Sequence, residues 1–487
     1  MSNINYFVMS EELGLSVKKS EDFGRWYLEI IEKAKMADQS PVEGCIIFTP
    51  YSYAIWENIQ KYFDKRIKET GHLNAYFPLL IPESFLKKEA EHFSGFVPEV
   101  AWVTEGGSSK LNEKLAIRPT SETIMYYTFS KWIRSHRDLP LLINQWCNIV
   151  RWETKAAKPF LRTKEFLWQE GHTAHSTKEE ADKEVMMILN FYKELVETQL
   201  AIPVILGVKT ENEKFKGALY TTTLEAMMPD GKALQMGTSH NLGQNFSKPF
   251  KITFLDKDKN KAYVWQTSWG VSTRLIGALI MAHGDDKGLI LPPRIAPYQV
   301  VIIPIYKEDT KEKVFENCKE IKKELEKENI RILLDEREQY TPGFKFNEWE
   351  LKGAPLRIEI GPVDVEKKQI TIVRRDEKEK LVIKKDEIKK VVKLLEEIQE
   401  NLFNKAKKLF YEHVFTVNNF KEFKEVMKTK KGFIKACWCG SEKCEDAIKK
   451  ETTATIRCVP FEKEKVFSEC VYCGKKAKEV VYFAKSY

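Results

Sequence analysis

The first 285 residues contain apolar stretches typical of β-strands, among them AYFPLLIP, PLLINQWCNIV and KAYVWQTSWG. Loops separate these stretches, without the regular strand–helix–strand units from which parallel sheets are built. The pattern therefore predicts a mostly antiparallel sheet. Helices accompany it, such as one from Trp56 to Ile67 whose apolar residues recur at three- and four-residue spacing.

The organisation changes after LILPPRIAPY, a proline-rich segment around Arg294 that predicts a linker. Beyond it, the strand-like YQVVIIPIY, a Lys/Glu-rich helix and further short strands alternate, which is typical of a small α/β domain. A chain of 487 residues is long enough for about three domains. We expect them at residues 1–288, 289–402 and 403–487.

Charge and hydropathy exclude several classes of protein. The 79 Lys+Arg and 71 Asp+Glu give a net charge of +8, which permits a polyanionic partner without requiring one. The composition is that of a globular protein rather than a disordered or collagen-like one. No apolar run approaches the roughly 20 residues of a membrane helix, and MSNINYFVMSEELG lacks the apolar core of a signal peptide. We therefore expect a cytoplasmic protein that does not enter a membrane.

Six of the nine cysteines lie close together near the C-terminus. Four of them form two pairs, C-x4-C and C-x2-C: Cys439 with Cys444, and Cys470 with Cys473. Thiols stay reduced inside cells, and four thiolates in two pairs predict a closed, structural, tetrahedral Zn²⁺ site. Cys437 and Cys458 leave another ligand set open, and buried reduced thiols are the alternative to a metal.

The stretch VRWETKAAKPFLRTKEFLWQEGHT contains charged residues next to apolar ones. Period-two alternation predicts Arg151 and Glu153 on one face of a strand, and Arg162 at the start of a second strand that contains Phe166. A hairpin with solvated arginines is one interpretation. The apolar surroundings favour another, because buried charges need partners. Guanidinium groups suit phosphates, a carboxylate suits an amino group and an aromatic ring suits a base, so we expect a nucleotide.

This arrangement, Arg-x-Glu followed by a loop and Arg-x-x-x-Phe, resembles motif 2 of the class II aminoacyl-tRNA synthetases. TSWGVSTRLIGALI, in which Arg274 opens a predicted helix, resembles motif 3. GHLNAYFPLL, with Pro78, resembles motif 1. The three motifs occur in the order typical of this class, which is a far more specific signal than any one of them.

Further stretches are similar to the prolyl-tRNA synthetase family: RPTSE, WQEGHT, GTSHNLGQNF, SGFVPEVAWVT and SPVEGCIIFTP. The similarity is to the archaeal and eukaryotic-like type, because about 100 residues between Glu170 and Trp269 are too few for an inserted editing domain. The resemblance implies an antiparallel class II catalytic domain of the α+β class. An α/β anticodon-binding domain and a small α/β zinc-type C-terminal domain follow it.

The resemblance also implies an activity and its substrates. Proline and ATP, with Mg²⁺, would form prolyl-adenylate and pyrophosphate, and the prolyl group would then pass to the 3′-terminal adenosine of tRNA(Pro). A homodimer through motif 1 is expected. For the carboxylate of the C-terminal Tyr487, an approach to the catalytic domain is expected. DNA is not an expected partner, since a zinc-ribbon DNA binder would explain only the last ~80 residues.

The resemblance assigns roles residue by residue, with Arg151 and Arg274 as the catalytic pair. ATP binding falls to Arg151, Glu153, Arg162, Phe166, Gln235, Thr238 and Arg274. Proline binding falls to Phe96, Thr120, Glu122, Arg151, Trp168, Glu170, His172 and His240. Anticodon binding falls to Glu348, Lys352 and Arg357.

Each assignment has a structural alternative. The string from Thr120 to Glu122 is also typical of a helix cap with an acidic first turn. Histidines such as His172 and His240 commonly serve in structural hydrogen bonds, and the anticodon residues are also typical of a solvated charged face. For the whole chain, the alternatives are a class II synthetase for another small amino acid or a catalytically inactive, synthetase-like RNA-binding or regulatory protein.

Overall fold

The computed structural model describes residues 14–92, 99–152 and 157–487. Its α-helices are α1 (Phe23–Lys33), α2 (Pro50–Lys68), α3 (Glu83–His92), α4 (Glu122–Trp132), α5 (Lys178–Glu194), α6 (Arg274–His283), α7 (Lys311–Lys327), α8 (Pro342–Leu351), α9 (Pro362–Glu366), α10 (Lys390–Glu412), α11 (Phe420–Thr429) and α12 (Glu442–Thr452).

The strands of the N-terminal half are β1 (Ala37–Gln39), β2 (Ile46–Phe48), β3 (Leu73–Asn74), β4 (Leu80–Pro82), β5 (Trp102–Gly106), β6 (Ser109–Ile117), β7 (Leu141–Val150), β8 (Glu165–His175), β9 (Ile205–Val208), β10 (Tyr220–Met227) and β11 (Ala233–Gly243). Those that follow are β12 (Thr253–Leu255), β13 (Lys261–Tyr263), β14 (Trp265–Ser272), β15 (Val300–Pro304), β16 (Ile332–Leu334), β17 (Leu356–Ile360), β18 (Gln369–Arg374), β19 (Lys380–Lys384), β20 (Val414–Thr416), β21 (Phe433–Trp438), β22 (Thr455–Pro460) and β23 (Glu479–Ala484).

The chain forms two compact units, each built from separate segments. The smaller unit contains the described residues of segments 1–38, 48–55 and 283–402. The larger unit contains those of segments 39–47, 56–282 and 403–487. The C-terminal residues therefore share a unit with the catalytic-type sequence motifs.

The larger unit is organised around one extended sheet. Its described strands run in the order β20-β21-β23-β22-β9-β10-β11-β14-β8-β7-β3. The pairs within it are antiparallel except β20 with β21 and β3 with β7. The mostly antiparallel sheet expected from the sequence is confirmed.

One face of the central strands is covered by α5. This helix begins with a capping box between Thr177 and Glu180 and buries Ile188 and Tyr192 on its apolar face. The Tyr192 hydroxyl donates to the Gln169 side chain of β8 at 2.6 Å. Since side chains alternate along a strand, the residues flanking Gln169 point to the opposite face of the sheet.

The smaller unit contains a five-stranded sheet of described residues in the order β16-β15-β17-β18-β19. β15 is parallel to β16 and β17, and the remaining pairs are antiparallel. Short strands alternate with α7, α8 and α9, so the α/β character expected of this part is confirmed.

The proline-rich segment, for which the sequence predicts a linker, is packed within the smaller unit. Leu289, Leu291 and Ile295 are buried. The backbone N–H of Leu289 donates to the Leu351 carbonyl at 2.9 Å. The segment contains a turn at Pro293–Ile295 and is packed within the smaller unit, because burial of its apolar residues outweighs the tendency of proline to mark an exposed loop.

The C-terminal residues extend the sheet of the larger unit. β22 pairs with β9 through Val459 opposite Val208 and Pro460 opposite Gly207. Glycine is required at position 207, because a Cβ there would lie 2.4 Å from the Val459 carbonyl oxygen. Main-chain hydrogen bonding thus runs without interruption from the C-terminal strands into the central strands.

Candidate active site

The register of three neighbouring strands brings the predicted site residues together. On the face opposite α5, His172 of β8 lies beside Ser268 of β14, which lies beside His240 of β11. Two residues further along, Glu170 lies beside Gly270. Residues distant in sequence thereby form adjacent rows on one surface.

These rows form the floor of a cavity of about 490 Å³. The predicted residues that line it are Thr120, Glu122, Arg151, Arg162, Phe166, Trp168, Glu170, His172, Gln235, Thr238, His240 and Arg274. The other two, Glu153 and Phe96, lie outside the described residues. The residues that the resemblance assigns to ATP and to proline line one cavity of a size typical of small-molecule sites.

One end of the cavity is rich in arginine. Arg151 follows β7 directly, and its guanidinium lies over the rings of Phe166 at 5.5 Å and Trp168 at 6.0 Å. Arg162 is exposed and lies in a turn before β8, not at the start of the strand as the sequence suggested, because its backbone pairs with Lys158. The two aromatic rings meet edge to face at 5.7 Å.

Arg274 opens α6, as predicted, and reaches back across the sheet. Its Nη1 lies 3.5 Å from the Gln235 carbonyl oxygen, a long and weak contact. Burial, followed by the neighbouring charges of Arg151 and Arg162, lowers the pKa of Arg274 to about 10. The group still carries its charge at neutral pH. Three mutually repelling guanidinium groups in one cavity make a site that favours a polyanion.

The opposite end of the cavity is acidic, and hydrogen bonds link its side chains. The Glu170 carboxylate accepts hydrogen bonds from Ser121 Oγ at 2.5 Å and from Gln145 Nε2 and His172 Nε2 at 3.0 Å each. Burial raises the pKa of Glu170, but the bond to His172 and the other donors outweigh it and lower this pKa to about 2. Burial lowers the pKa of His172, and Glu170 reverses this and raises it. Both shifts favour the charged forms, so Glu170 and His172 form a buried ion pair below the raised pKa of His172.

Two more predicted residues occupy defined positions at this end. Glu122 begins α4, is 4% exposed, and accepts a short hydrogen bond from Thr120 Oγ1. Ser121, at the cap position, donates to Glu170 and makes no side-chain cap bond, so the capping alternative is not realised by this hydroxyl. Burial, then the charge of His172, lowers the pKa of His240 to about 3, so its imidazole is neutral.

Several lining residues were not found from the sequence: Lys209, Phe215, Thr221, Ser268 and Gly270. Thr221 Oγ1 is 2.9 Å from His240 Nδ1, and the Phe215 ring lies 4.9 Å from the same imidazole. Ser268 and Gly270 left a usable signal, because both lie in the stretch that resembles motif 3. A Cβ on Gly270 would lie 2.4 Å from Cζ2 of Trp168, so glycine leaves the space that the indole occupies.

The predicted anticodon residues lie in the smaller unit and are engaged in ion pairs. Glu348 is buried and accepts from Lys352 at 2.9 Å and Arg337 at 2.6 Å. Arg357 donates to Glu359 at 2.9 Å. Ion pairs within the smaller unit therefore fix these side chains, in contrast to the freely solvated charged face that was the alternative interpretation.

The four paired cysteines converge at one point in the C-terminal part. The Sγ atoms of Cys439, Cys444, Cys470 and Cys473 all lie within 4.8 Å of one another. Those of Cys439 and Cys444 are 3.7 Å apart, and those of Cys473 and Cys439 are 3.8 Å apart. A tetrahedron with Zn–S bonds of about 2.3 Å has S···S separations of about 3.8 Å, so the cluster fits Zn²⁺.

Glycines follow two of these cysteines, and two other cysteines are kept apart. Gly440 and Gly474 both have positive φ, which turns the chain tightly after Cys439 and Cys473. Cys437 and Cys458 are buried in the sheet and are not part of the four-thiol group.

The C-terminal Tyr487 contacts residues of the catalytic part of its own unit. The Tyr487 backbone N–H donates to the Ala233 carbonyl at 3.3 Å. Lys158 Nζ and Lys232 Nζ lie 4.7 Å and 4.8 Å from the centre of the Tyr487 ring.

Among the helices described, none has the length and apolar character needed to span a bilayer.

Comparison with known proteins matches each part of this architecture to a family. The tRNA synthetase class II core domain (G, H, P, S and T) matches residues 102–283, and the anticodon binding domain matches residues 299–395. The family described as prolyl-tRNA synthetase, C-terminal, matches residues 420–487. The antiparallel sheet, its arginine-rich cavity and these matches define a class II aminoacyl-tRNA synthetase.

Full-length relatives narrow the class to one family. The chain is 57% identical to a proline–tRNA ligase of Alkaliphilus oremlandii, with 96% of both chains covered. It is 55% identical to a proline–tRNA ligase of Natranaerobius thermophilus, covering 96% of this chain and 97% of the relative. A proline–tRNA ligase 2 of Bacillus cereus is 54% identical, with 98% and 99% covered. The chain belongs to the proline–tRNA ligase family.

Proposed function

We propose that this protein attaches L-proline to tRNA(Pro) in two steps. ATP and proline first form prolyl-adenylate with release of pyrophosphate. The prolyl group then passes to the 3′-terminal adenosine of the tRNA. The observation that carries the proposal is the single cavity with guanidinium groups at one end and a buried acidic cluster, which includes the ionised Glu170, at the other.

In the first step a proline carboxylate oxygen bonds to the α-phosphorus of MgATP, and the bond to the β-phosphate bridging oxygen breaks. Negative charge develops on the phosphoryl oxygens, so preorganised cations lower the barrier. Arg151 is proposed to contact the α-phosphate and the proline carboxylate, and Arg274 the γ-phosphate. Phe166 and Arg162 are proposed to flank the nucleotide, with Glu153 at the adenine and Gln235 and Thr238 at the ribose.

The other end of the cavity is proposed to bind proline. Its secondary ammonium needs acceptors, which Thr120, Glu122 and Glu170 supply, and Trp168 gives the ring an apolar wall. The ion pair with His172 keeps Glu170 ionised, and the neutral His240 adds no opposing charge. Phe96 is proposed as a second wall.

The remaining assignments are proposals of the same kind. Glu348, Lys352 and Arg357 would contact the anticodon, and the four cysteines would hold a structural Zn²⁺. Domains at 1–288, 289–402 and 403–487 and a cytoplasmic location complete the proposal. The exposed Leu73 and Tyr76 in the motif 1 stretch, 66% and 68% exposed, support a homodimer through that stretch.

Proline-dependent ATP–pyrophosphate exchange tests the proposed function. We expect exchange with proline and much weaker exchange with alanine, cysteine or threonine. Arg151→Ala should reduce exchange by more than 100-fold while tRNA binding changes little. The matched control is Arg134→Ala, which removes an exposed arginine that does not line the cavity. Absence of proline-dependent exchange, or near-normal exchange in Arg151→Ala, would refute the proposal.

A further inference from the structure

A buried group of three charges lies where the C-terminal strands join the central sheet. Glu225 belongs to β10, Lys209 follows β9, and Arg457 belongs to β22 of the C-terminal part; all three are buried. Arg457 donates to the Glu225 carboxylate through Nε at 3.1 Å and through Nη2 at 3.0 Å. Lys209 Nζ donates to Glu225 Oε1 and to the Arg457 carbonyl oxygen, both at 2.7 Å.

This group adjoins the nucleotide end of the cavity. Lys209 lines the cavity, although Arg457 does not. Glu225 pairs across the sheet with Gln235, whose carbonyl oxygen is the acceptor approached by Arg274. The charges of Glu225 and Arg457 both act on Arg274, Glu225 raising its pKa and Arg457 lowering it. The phosphate-binding cation and the buried group therefore share one electrostatic neighbourhood.

The net charge of this buried group determines how strongly Glu225 attracts the guanidinium of Arg274. Two cations and one carboxylate give the group a net charge of +1, and Arg457 makes most of the hydrogen bonds to Glu225. Among the described residues, no carboxylate oxygen lies within 4.0 Å of the Arg274 guanidinium. Without Arg457, the group becomes neutral and Glu225 attracts Arg274 more strongly. Removing one partner of a buried carboxylate leaves charge that is not fully compensated, and this charge interacts more strongly with the remaining cations nearby.

We propose that Arg457 is a positioning residue for adenylate formation: it engages Glu225 so that Arg274 remains available to the phosphates of ATP. The C-terminal part thus contributes to the nucleotide site through a side chain that does not contact the substrate. The role in adenylate formation rests on the proposed function. The effect on ATP affinity rests only on the hydrogen bonds of Glu225 and its position next to Arg274.

The experiment compares three variants of the full-length protein: Arg457→Met, Arg457→Lys and the double variant Arg457→Met/Glu225→Gln. The double variant restores the net charge of +1, because Lys209 then stands alone, and Arg457→Lys retains it. Affinity for the magnesium complex of α,β-methylene-ATP is measured by calorimetry, and exchange kinetics give separate KM values for ATP and proline. The control is Lys450→Met, which removes an exposed lysine of α12.

Arg457→Met should weaken analogue affinity and raise the KM for ATP about tenfold, while the KM for proline changes less than about twofold. In Arg457→Lys and in the double variant, the analogue affinity and the KM for ATP should both lie within about threefold of the values of the starting protein. Unchanged analogue affinity in folded Arg457→Met would overturn the inference. The inference would also be overturned if Arg457→Met raised the KM values for ATP and proline equally and the added Glu225→Gln change restored neither. That result would indicate a merely structural role for Arg457. Absence of proline exchange in the starting protein would refute the proposed function alone, because the calorimetric comparison needs no proline.

Discussion

Replacing Glu170 with glutamine tests the electrostatic core of the site most directly. The substitution keeps the size of the side chain but removes its charge, and so removes the carboxylate that pairs with the buried His172. Glu170 has a pKa lowered from 4.5 to about 2. At about 1.4 kcal/mol per pKa unit, ionised Glu170 stabilises the folded state by about 3 kcal/mol at neutral pH.

The sign of the pH dependence follows from the direction of each shift. The Glu170 pKa is lowered on folding, so its contribution is present above pH 4.5 and is lost as the pH falls towards 2. The His172 pKa is raised, so its contribution is present below pH 6.5 and is lost as the pH rises through the folded-state value. Both contributions depend on one ion pair, and Glu170→Gln should remove both.

Urea unfolding followed by tryptophan fluorescence between pH 3 and pH 8 provides the measurement. Glu170→Gln should lower the free energy of unfolding by about 3 kcal/mol at pH 6 and flatten the decline below pH 4.5. Glu105→Gln, at an exposed glutamate of β5, is the matched control and should leave the profile unchanged. A loss below about 1 kcal/mol, or an acid decline as steep as in the starting protein, would refute the ion-pair assignment.

Three other predictions address different parts of the molecule. Gly270→Ala should displace the Trp168 indole, because a Cβ would lie 2.4 Å from it, and should cost about 1–3 kcal/mol of stability and raise the KM for proline. An unchanged KM for proline would contradict the role of Trp168 as a wall of the proline site. Metal analysis should find about one Zn²⁺ per chain, reduced to near zero in Cys439→Ser/Cys473→Ser, whereas Cys437→Ser should retain it; well under one Zn²⁺ in the starting protein would contradict the closed site. Tyr76→Glu should shift the mass measured by light scattering from dimer towards monomer, because it places a charge in the exposed apolar stretch; Tyr411→Glu is the control at an equally exposed tyrosine, and an unchanged mass would exclude motif 1 as the interface.

The sequence predicted the strands and the principal side chains of the site, because each depends on local information. Alternation identified the strands around Trp168, and motif spacing identified Arg151 and Arg274. Cysteine spacing alone selected the four thiols that the structure brings together.

Cross-strand register and long-range pairing could not be predicted in the same way. No local pattern shows that Ser268 lies between His172 and His240, since the register of β14 is set by the whole sheet. The same holds for Arg457, which is 232 residues from Glu225 in sequence and meets it only because β22 joins β9. Burial of the proline-rich segment was missed because local propensity gives no account of tertiary packing.

The junction at Gly207 has a consequence for how this protein can be divided. A chain ending at residue 402 would present β9 as an open edge, with unpaired main-chain groups and a strong tendency to aggregate. It would also leave Glu225 with Lys209 as the remaining basic partner among those described. The C-terminal part therefore cannot be deleted without exposing the edge of the central sheet. Expression of residues 1–402 alone should yield insoluble protein rather than a smaller enzyme.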